Sequence, residues 1–448
     1  MSGSSWLVKR PQVCESHAMK LKTVFQPQKA QSTQRKNTTN KMYKSIQART
    51  AFPLLSQCPL WQPIAGSAVN FLRVLSVLAA FVPLAVVAED TTITVKKSDA
   101  TSVFLQPFGG AEGAAAAKVV QNDLDLSGLF ALSPAARASF TISATAGSGS
   151  LQGMVTDGGG GVVLRKTYAS NTRAAAHAFS DDIVETITGN KGIASTKIAF
   201  AATRTGKKEI YTADYDGGSV KQLTHDSAIS VAPALSPDGS KLAYTGYQSG
   251  YADIYLIDLA SGARSRIIKF PGTNSGAAFS PDGGRLACTG SKDGNPELYV
   301  AGANGSGARR LTRTSGVESS PSWSPDGNEI VYSSDERGGP QLFRIAADGG
   351  SGRLISTGYG YCTEPSWSPD GKKIAFTIRQ GGFSIAILDL TSGAARIVAE
   401  GEDPVWGANS RHLIFSSGSS LVLLDTVKGR PVPIVSGLGK VSEPSWSR

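Results

Sequence analysis

The stretch Pro321–Gly327 reads PSWSPDG, and the same seven residues return at Pro365–Gly371. Near-copies read PALSPDG from Pro233 and AAFSPDG from Ala277. Consecutive copies of the S-P-D-G tetrapeptide lie 44 residues apart, beginning at Ser236, Ser280, Ser324 and Ser368. A constant period of this length is typical of stacked structural repeats, and propellers are among the folds built in this way.

A large apolar residue precedes each of these serines and marks its repeat. Two further tryptophans, in DPVWGANS and EPSWSR, continue the series at intervals of 39 and 40 residues without the full turn motif. The six marker residues, here called anchors, are Leu235, Phe279, Trp323, Trp367, Trp406 and Trp446. The sequence therefore predicts six repeats, of which the last are slightly shorter.

Each repeat has the pattern of a four-stranded sheet. Ser-Pro-Asp-Gly fits a type I turn, because proline fixes φ at the second position and glycine suits the fourth. Three strand-like runs follow each turn, as KLAYTG, DIYLIDL and ARSRII do after the first. The stretch at the anchor supplies a fourth strand, and four strands in about 44 residues make one propeller blade.

The two ends of the repeat region complement each other. The run KIAFAA at Lys197–Ala202 opens the repeats without an anchor stretch, and the final EPSWSR is an anchor stretch with nothing after it. The final stretch should therefore complete the first blade and close a ring of six blades, which removes exposed sheet edges. An open β-solenoid is the alternative, but it gives no reason for one repeat to be divided between the two ends.

The formal net charge of +10 comes from the start of the chain. Residues 1–88 contain eleven Lys or Arg and one acid, Glu15, so that residues 89–448 carry equal numbers of basic and acidic residues. A neutral domain has no general electrostatic attraction for phosphates. We therefore expect no nucleic-acid partner.

The first 88 residues read as two leader segments. Residues 1–68 are polar, basic and without periodicity, which predicts a disordered or mis-assigned leader, with a transit peptide as the alternative. Residues 69–88 have the pattern of a secretory signal peptide, with Arg73 before a 14-residue apolar run and a cleavage site after Ala88. The apolar run is short for a membrane-spanning helix.

Residues 89–190 predict a small α/β domain before a propeller at 191–448. A strand at SVFLQPFGG and an Ala-rich helix are followed by three strand candidates, ASFTISA, SLQGMVT and GVVLRKTY. In the last helix, Ala176, Phe179, Ile183 and Ile187 recur on one face, and Gly189 or Gly192 should end it. The predicted fold class is mainly β, a six-bladed β-propeller preceded by a small α/β domain.

The sequence offers little evidence for catalysis. The motifs G-x-S-x-G and G-x-x-x-x-G-K-[ST] are absent. Beyond the leader, His177, His225 and His412 lie in different repeats or domains without the spacing of metal ligands. We assign His177 to the helix surface or to a capping role, and we predict no catalytic residue, no cofactor and no metal ion.

Three acids stand at equivalent positions in the last repeats. Glu364, Asp403 and Glu443 each lie three residues before an anchor, and the equivalent residues of the other repeats are Ala232, Gly276 and Ser320. Equivalent positions of successive blades cluster around the ring axis. A channel mouth with one acidic arc and one small, neutral arc would bind a protein or a cation. In the alternative interpretation, the acids only cap the turns before the anchors.

From about residue 89 onwards, the sequence resembles the TolB family of periplasmic propeller proteins of the Tol-Pal system. The resemblance rests on QPFGG in the first strand, a helix ending in ITGNKG, the blade opening TKIAFAATRTGKKEIYTADYDG and the terminal PSW. It implies a non-enzymatic, monomeric binding protein in the periplasm. Such a protein supports outer-membrane integrity and constriction during cell division.

The resemblance also implies two protein partners. A Pal-like lipoprotein would bind at the propeller mouth, at positions matching Thr273, Gly276 and Ser319, and we add the three acids of the mouth to this candidate site. Thr273 replaces the histidine that is usual in the family. The remaining alternative is a secreted orphan propeller that binds a peptide, a sugar or a cation in its channel.

The second implied partner is a TolA-like inner-membrane protein, which would bind the segment Glu89–Lys97, EDTTITVKK. Alternation along this segment suits addition to a sheet edge of the partner. The candidate contact residues are Glu89, Asp90, Thr91, Ile93 and Val95. The protein would then be peripheral to membranes through its partners.

Overall fold

A computed structural model of the protein describes residues 100–448. The predictions for the leader at 1–68, the signal peptide at 69–88 and the strand at 89–97 lie outside the described residues. Among the residues from 100 onwards, no helix is long and apolar enough to cross a membrane.

The α/β domain contains a five-stranded sheet in the order β2-β1-β3-β4-β5. Its strand β1 runs parallel to both of its neighbours, and β3, β4 and β5 form an antiparallel meander. The elements are β1 (Thr101–Leu105), α1 (Gly113–Ser127), β2 (Phe130–Leu132), a 3-10 turn (Ala135–Arg137), β3 (Phe140–Gly147), β4 (Ser150–Asp157), β5 (Val162–Ala169) and α2 (Thr172–Thr188). The predicted three strands and final helix are confirmed.

Helix α2 begins and ends where its sequence predicts. The Asn171 side chain caps the first turn by accepting from the Ala174 N–H, and Gly189 ends the helix in the left-handed conformation at φ +69°. Of the predicted apolar face, Ala176, Phe179 and Ile183 are fully buried against the sheet and α1. The ring of Phe179 lies so close to Gly153 on β4 that a Cβ there would be 2.5 Å from it.

Six antiparallel, four-stranded sheets form the propeller. The first blade contains β6 (Lys197–Ala202), β7 (Glu209–Asp214) and β8 (Lys221–Gln222). The second contains β9 (Ser230–Leu235), β10 (Lys241–Gly246), β11 (Asp253–Asp258) and β12 (Arg264–Ile268). The third contains β13 (Asn274–Phe279), β14 (Arg285–Gly290), β15 (Glu297–Gly302) and β16 (Arg309–Arg310).

The remaining blades repeat this order. The fourth contains β17 (Glu318–Trp323), β18 (Glu329–Ser334), β19 (Gln341–Ala346) and β20 (Arg353–Leu354). The fifth contains β21 (Cys362–Trp367), β22 (Lys373–Arg379), β23 (Phe383–Asp389) and β24 (Ala395–Glu400). The sixth contains β25 (Glu402–Trp406), β26 (His412–Ser417), β27 (Ser420–Asp425) and β28 (Arg430–Val435), and β29 (Val441–Trp446) follows.

The final strand closes the ring as predicted. Strand β29 pairs antiparallel with β6 and takes the inner position of the first blade, with Trp446 opposite Ile198. The Trp446 indole N–H donates to the Thr196 hydroxyl at 2.7 Å. The prediction of six four-stranded blades closed by the C-terminal strand is confirmed.

The S-P-D-G motif forms a compact turn held by its own side chains. In the fourth blade the Ser324 carbonyl accepts from the Gly327 N–H at 2.9 Å, and the Ser324 hydroxyl both donates to Asp326 and accepts from the Glu329 N–H. Gly327 has φ +71°, a conformation that favours glycine. The four repeats with this turn therefore need serine, aspartate and glycine at these spacings.

The anchors pack in the seams between blades. Trp323 is 2% exposed and lies among Ala287 and Leu298 of the third blade and Ile330 of its own. Its indole N–H donates to the Ala278 carbonyl of the neighbouring inner strand at 3.0 Å. Trp323 thus joins two sheets by apolar packing and one hydrogen bond, and apolar packing in the seam is what the six anchors share.

Candidate binding site at the propeller mouth

The inner strand of each blade carries a β-bulge near its start. At each bulge one residue adopts the left-handed conformation, with φ between +48° and +62°. These six residues are Ala232, Gly276, Ser320, Glu364, Asp403 and Glu443. Five of the six are not glycine, and such residues persist in this conformation only where their surroundings hold them.

The six bulge residues line the central channel, as their equivalent positions in the repeats predict. The channel encloses a cavity of about 420 Å³, whose wall also includes a proline from all but one of the bulges. Its size falls within the range of small-molecule pockets, which is about 300–1,000 Å³. The structure brings the three predicted acids together on one side of this cavity.

The three acids link successive blades. The Glu364 carboxylate accepts from the Asp403 N–H at 3.0 Å, Asp403 accepts from the Glu443 N–H at 2.9 Å, and Glu443 accepts from the Ala232 N–H at 2.6 Å. We call Glu364, Asp403 and Glu443 the carboxylate belt. Each acid binds the backbone of the next blade and not the turn before its own anchor, so the simple capping interpretation is wrong.

The three acids of the belt outnumber the cations near them. Lys208 forms an ion pair with Glu443 at 2.7 Å, and Arg448 is a second cation in the wall of the cavity. Burial, together with the neighbouring Asp403 charge, raises the pKa of Glu364 to about 7, and burial also raises the pKa of Asp403. The acidic arc therefore favours an additional proton or a cationic group at the mouth.

The opposite arc of the mouth is small and neutral. Ala232, Gly276 and Ser320 contribute short side chains or none. Beside them, Thr273 is exposed, and its backbone is fixed because its N–H donates to the Ser291 hydroxyl at 2.8 Å and its carbonyl accepts from the Ser291 N–H at 3.0 Å. The predicted contact residue Ser319 is half-buried on β17 next to Ser320.

Exposed apolar side chains lie at the same end of the ring as this mouth. They lie in the loops that join the second strand of a blade to the third or lead into the next blade, and in an antiparallel blade these loops share one end of the ring. The residues are Ile229, Tyr247, Tyr251, Val317 and Phe383, of which Tyr251 is 71% exposed. We call these five the apolar rim. Sequence analysis missed it, although an aromatic residue in a Gly-rich loop, as in QSGYAD and GGFS, was a usable signal.

The other end of the ring binds the α/β domain. The Asp123 carboxylate on α1 is bonded to His177 on α2 at 2.8 Å and accepts from the Tyr215 hydroxyl of the first blade at 3.0 Å. The Arg173 guanidinium donates to Asp214 at 2.6 Å. We call Asp123, Arg173, His177, Asp214 and Tyr215 the docking cluster.

The assignment of His177 to the helix surface or a cap is wrong, because its side chain is 2% exposed within the docking cluster. Burial opposes the charged form, yet the hydrogen bond to Asp123 and the Asp214 carboxylate 3.8 Å from Nε2 raise the pKa of His177 to about 9. Burial likewise opposes ionisation of Asp214, but His177, Lys197 and Arg173 hold the pKa of Asp214 well below its usual value. The two carboxylates therefore favour the charged form of the histidine.

One group of potential metal ligands stands out among residues 100–448. Donor atoms of Asp123, His177 and Asp216 lie within 4.8 Å of one another. Arg173 already binds Asp216 at 2.5 Å, and Asp123 already accepts from the Tyr215 hydroxyl at 3.0 Å. The group therefore fits a set of ion pairs better than a metal site.

Comparisons with known proteins agree with this architecture. A family model described as the TolB beta propeller domain matches residues 184–448. A protein named Protein TolB homolog from Chlorobium chlorochromatii is 44% identical over 104 residues, 22% of this chain and 24% of that protein. The Tol-Pal system protein TolB of Geobacter sulfurreducens is 49% identical over 70 residues, 16% of each chain. The chain thus matches about a quarter or less of the length of these relatives.

A solved structure covers more of the chain. The crystal structure of TolB from Acinetobacter baumannii superposes with a TM-score of 0.70 at 27% sequence identity. The match covers 78% of this chain and 96% of that one.

Proposed function

Since this chain belongs to the TolB family, we propose that it is the periplasmic, non-catalytic, protein-binding component of a Tol-Pal system. In this proposal it links a TolA-like inner-membrane protein to a Pal-like lipoprotein, and so supports outer-membrane integrity and constriction at division. It is exported through a signal peptide at 69–88 that is cleaved after Ala88, and the mature monomer consists of the α/β domain at 89–190 and the propeller at 191–448.

The propeller mouth is the observation that carries this proposal. The carboxylate belt occupies one arc, small neutral residues occupy the other, and the apolar rim lies at the same end of the ring. Exposed aromatic residues next to a charged patch are typical of protein interfaces, where tyrosines often contribute much of the binding energy. The mouth therefore suits a partner that inserts a small segment into the neutral arc and covers the rim.

The position of the mouth also supports a protein partner. The docking cluster holds the α/β domain at the opposite end of the ring, which leaves the loops with the apolar rim uncovered. A sugar or a cation would fit the cavity alone and would leave the rim exposed. The rim thus favours a protein or a peptide over a sugar or a cation.

We expect the exported chain to bind the periplasmic domain of the host's Pal-like lipoprotein with a dissociation constant of about 1 μM or tighter. Isothermal titration calorimetry of residues 89–448 measures this affinity directly. If the folded protein shows no binding, the lipoprotein proposal is wrong. The same titration with cations, sugars and peptides then tests the orphan-propeller alternative.

For the TolA-like partner we expect contact through Glu89–Lys97 by strand addition. Alternate residues of a strand share one face, so an added strand would place Ile93 on the same face as Thr91 and Val95. Replacing Ile93→Asp should weaken binding to the partner's periplasmic domain at least about tenfold, because a charge would enter the face against its sheet. The matched variant Thr92→Asp would place its charge on the other face and should have little effect. Equal losses in both variants would contradict strand addition.

A further inference from the structure

Buried side chains meet in a regular way in the seams between the first four blades. The first residue of the third strand in a blade is acidic in the first three blades, and it lies beside the first residue of the next blade's inner strand. The backbone fixes this arrangement, because the N–H of that inner residue donates to the carbonyl just before the acid. The pairs are Glu209–Ser230, Asp253–Asn274 and Glu297–Glu318.

The third seam differs from the other two in its chemistry. In the first two seams a serine or an amide stands beside the acid, and the Asn274 amide donates to Asp253 at 3.3 Å. In the third seam a carboxyl group meets a carboxyl group. Both Glu297 and Glu318 are 0% exposed, both accept hydrogen bonds from Thr314, and Glu297 is among the groups that raise the pKa of Glu318.

Each glutamate uses only one of its oxygens for bonds to other residues. The Glu297 Oε1 accepts from the Arg310 guanidinium at 2.5 Å and from the Thr314 N–H at 3.0 Å. The Glu318 Oε1 accepts from the hydroxyl groups of Thr314 at 2.7 Å and Ser334 at 2.8 Å. Both Oε2 atoms are buried without a donor. A buried acceptor oxygen without a donor costs free energy, so the pair lacks one proton or cation.

The charges around the pair leave Glu318 unbalanced. Arg310 pairs with Glu297, whereas Glu318 has only hydroxyl donors. The other charged or titratable groups around the seam are three acids, two phenols and two cations, namely Asp293, Asp335, Glu336, Tyr299, Tyr332, Lys292 and Arg313. Two carboxyl groups in contact inside a protein do not both ionise readily.

We propose that Glu297 and Glu318 share one buried proton between their Oε2 atoms, and that this proton regulates the partner-binding mouth. The regulatory part rests on the proposed function, since Glu318 directly precedes Ser319 and the bulge residue Ser320 at the mouth. Loss of the proton places two like charges in contact and drives the start of β17 away from β15.

The proton is lost near neutral pH. Burial, with a contribution from Glu297, raises the pKa of Glu318 to about 7. A carboxyl group whose pKa is raised by folding does not destabilise the fold at a pH below its unfolded pKa of about 4.3. It lowers the free energy of unfolding increasingly as the pH rises towards 7. Above pH 7 the full repulsion is present. The mouth should therefore be best ordered below neutral pH.

Thermal unfolding of the exported chain between pH 5 and pH 9 tests the shared proton. Glu318→Gln supplies a permanent N–H donor to Glu297, so it should raise the melting temperature by about 5 °C at pH 8 and by less than about 1 °C at pH 5. Glu318→Asn places an amide beside the acid, as Asn274 does in the second seam. It should show the same pH-dependent rise in melting temperature, and it replaces Glu318→Gln in the test if that variant folds poorly. Glu209→Gln is the matched control, because Thr224 and the Ser227 N–H already donate to Glu209 and no gain at high pH is expected.

The outcomes distinguish a shared proton from a bound metal ion. They also distinguish failure of the shared proton from failure of the proposed function. A difference between Glu318→Gln and the wild type that does not change with pH would overturn the shared proton. So would stabilisation of the wild type by Ca²⁺ or Na⁺ at pH 8 that the variant lacks, since this indicates a bound metal ion. Lipoprotein binding should weaken about threefold or more from pH 6 to pH 8 in the wild type and less in the variant. If the lipoprotein does not bind at all, the regulatory part fails and the melting curves still decide the proton.

Discussion

Replacing Asp123→Ala should lower the free energy of unfolding by about 3–5 kcal/mol, which is the usual cost of removing one partner from a buried ion pair. Asp123 is 3% exposed and binds both His177 and the Tyr215 hydroxyl. Its removal leaves a buried imidazolium and a buried hydroxyl without their acceptor. Urea denaturation measures the loss, and the α/β domain should unfold or detach first.

The matched control lies two residues further along α1. Asp125 pairs with Arg430 of the sixth blade at 3.0 Å, but both side chains are more than half exposed. Exposed ion pairs contribute about 0–1 kcal/mol, so Asp125→Ala should change the free energy of unfolding by less than about 1 kcal/mol. Similar small losses in both variants would show that the docking cluster does not hold the domains together.

The pH dependence of the same comparison has a definite sign. The pKa of His177 is raised to about 9 in the folded protein. The histidine therefore contributes fully to the free energy of unfolding below its unfolded pKa of about 6.5, and this contribution is lost as the pH rises through 9. The gap in unfolding free energy between the wild type and Asp123→Ala should therefore shrink between pH 7 and pH 10. Asp214 acts in the opposite direction, because its lowered pKa stabilises the cluster above pH 4 and this is lost in acid.

The sequence predicted the parts of the fold that repeat locally. One period relates the S-P-D-G turns, the anchors and the strand runs. This is because each of them depends on residues of its own blade or on equivalent residues of the neighbouring blade. Closure by β29 followed from the same period, since one strand was missing at Lys197 and one was left over at Trp446. Local patterns of this kind need no knowledge of distant contacts.

The site was predicted less completely, because its chemistry depends on distant contacts. The ring positions of the belt acids followed from the repeat. Their hydrogen bonds to the next blade depend on a β-bulge and a left-handed backbone conformation, which the residue types at these positions do not indicate. His177 lies on the face of α2 that the propeller covers, and periodicity within the helix reveals only the face towards its own sheet. Glu297 and Glu318 are 21 positions apart, and only the seam brings them together.

Thr273→Arg should weaken binding of the Pal-like lipoprotein at least about 100-fold, a loss of about 2.8 kcal/mol. Thr273 is exposed beside the neutral arc, and its backbone is held by Ser291 in both directions. The longer side chain would therefore stay at the mouth. Its guanidinium would lie across the opening, attracted by the carboxylate belt, and would both block the neutral arc and neutralise the acidic one. Calorimetric titration of the variant alongside the wild type measures the loss.

Thr391→Arg provides the control for added size and charge. Thr391 is also exposed, and it lies in the turn between β23 and β24, at the end of the ring away from the mouth. The same substitution there should leave the affinity within about twofold of the wild type. If both variants bind normally, the lipoprotein does not use the neutral arc, and contact through the apolar rim alone would have to explain its binding. If only Thr273→Arg fails, the small residues of the mouth are themselves part of the interface, because a single long side chain placed among them is enough to exclude the partner.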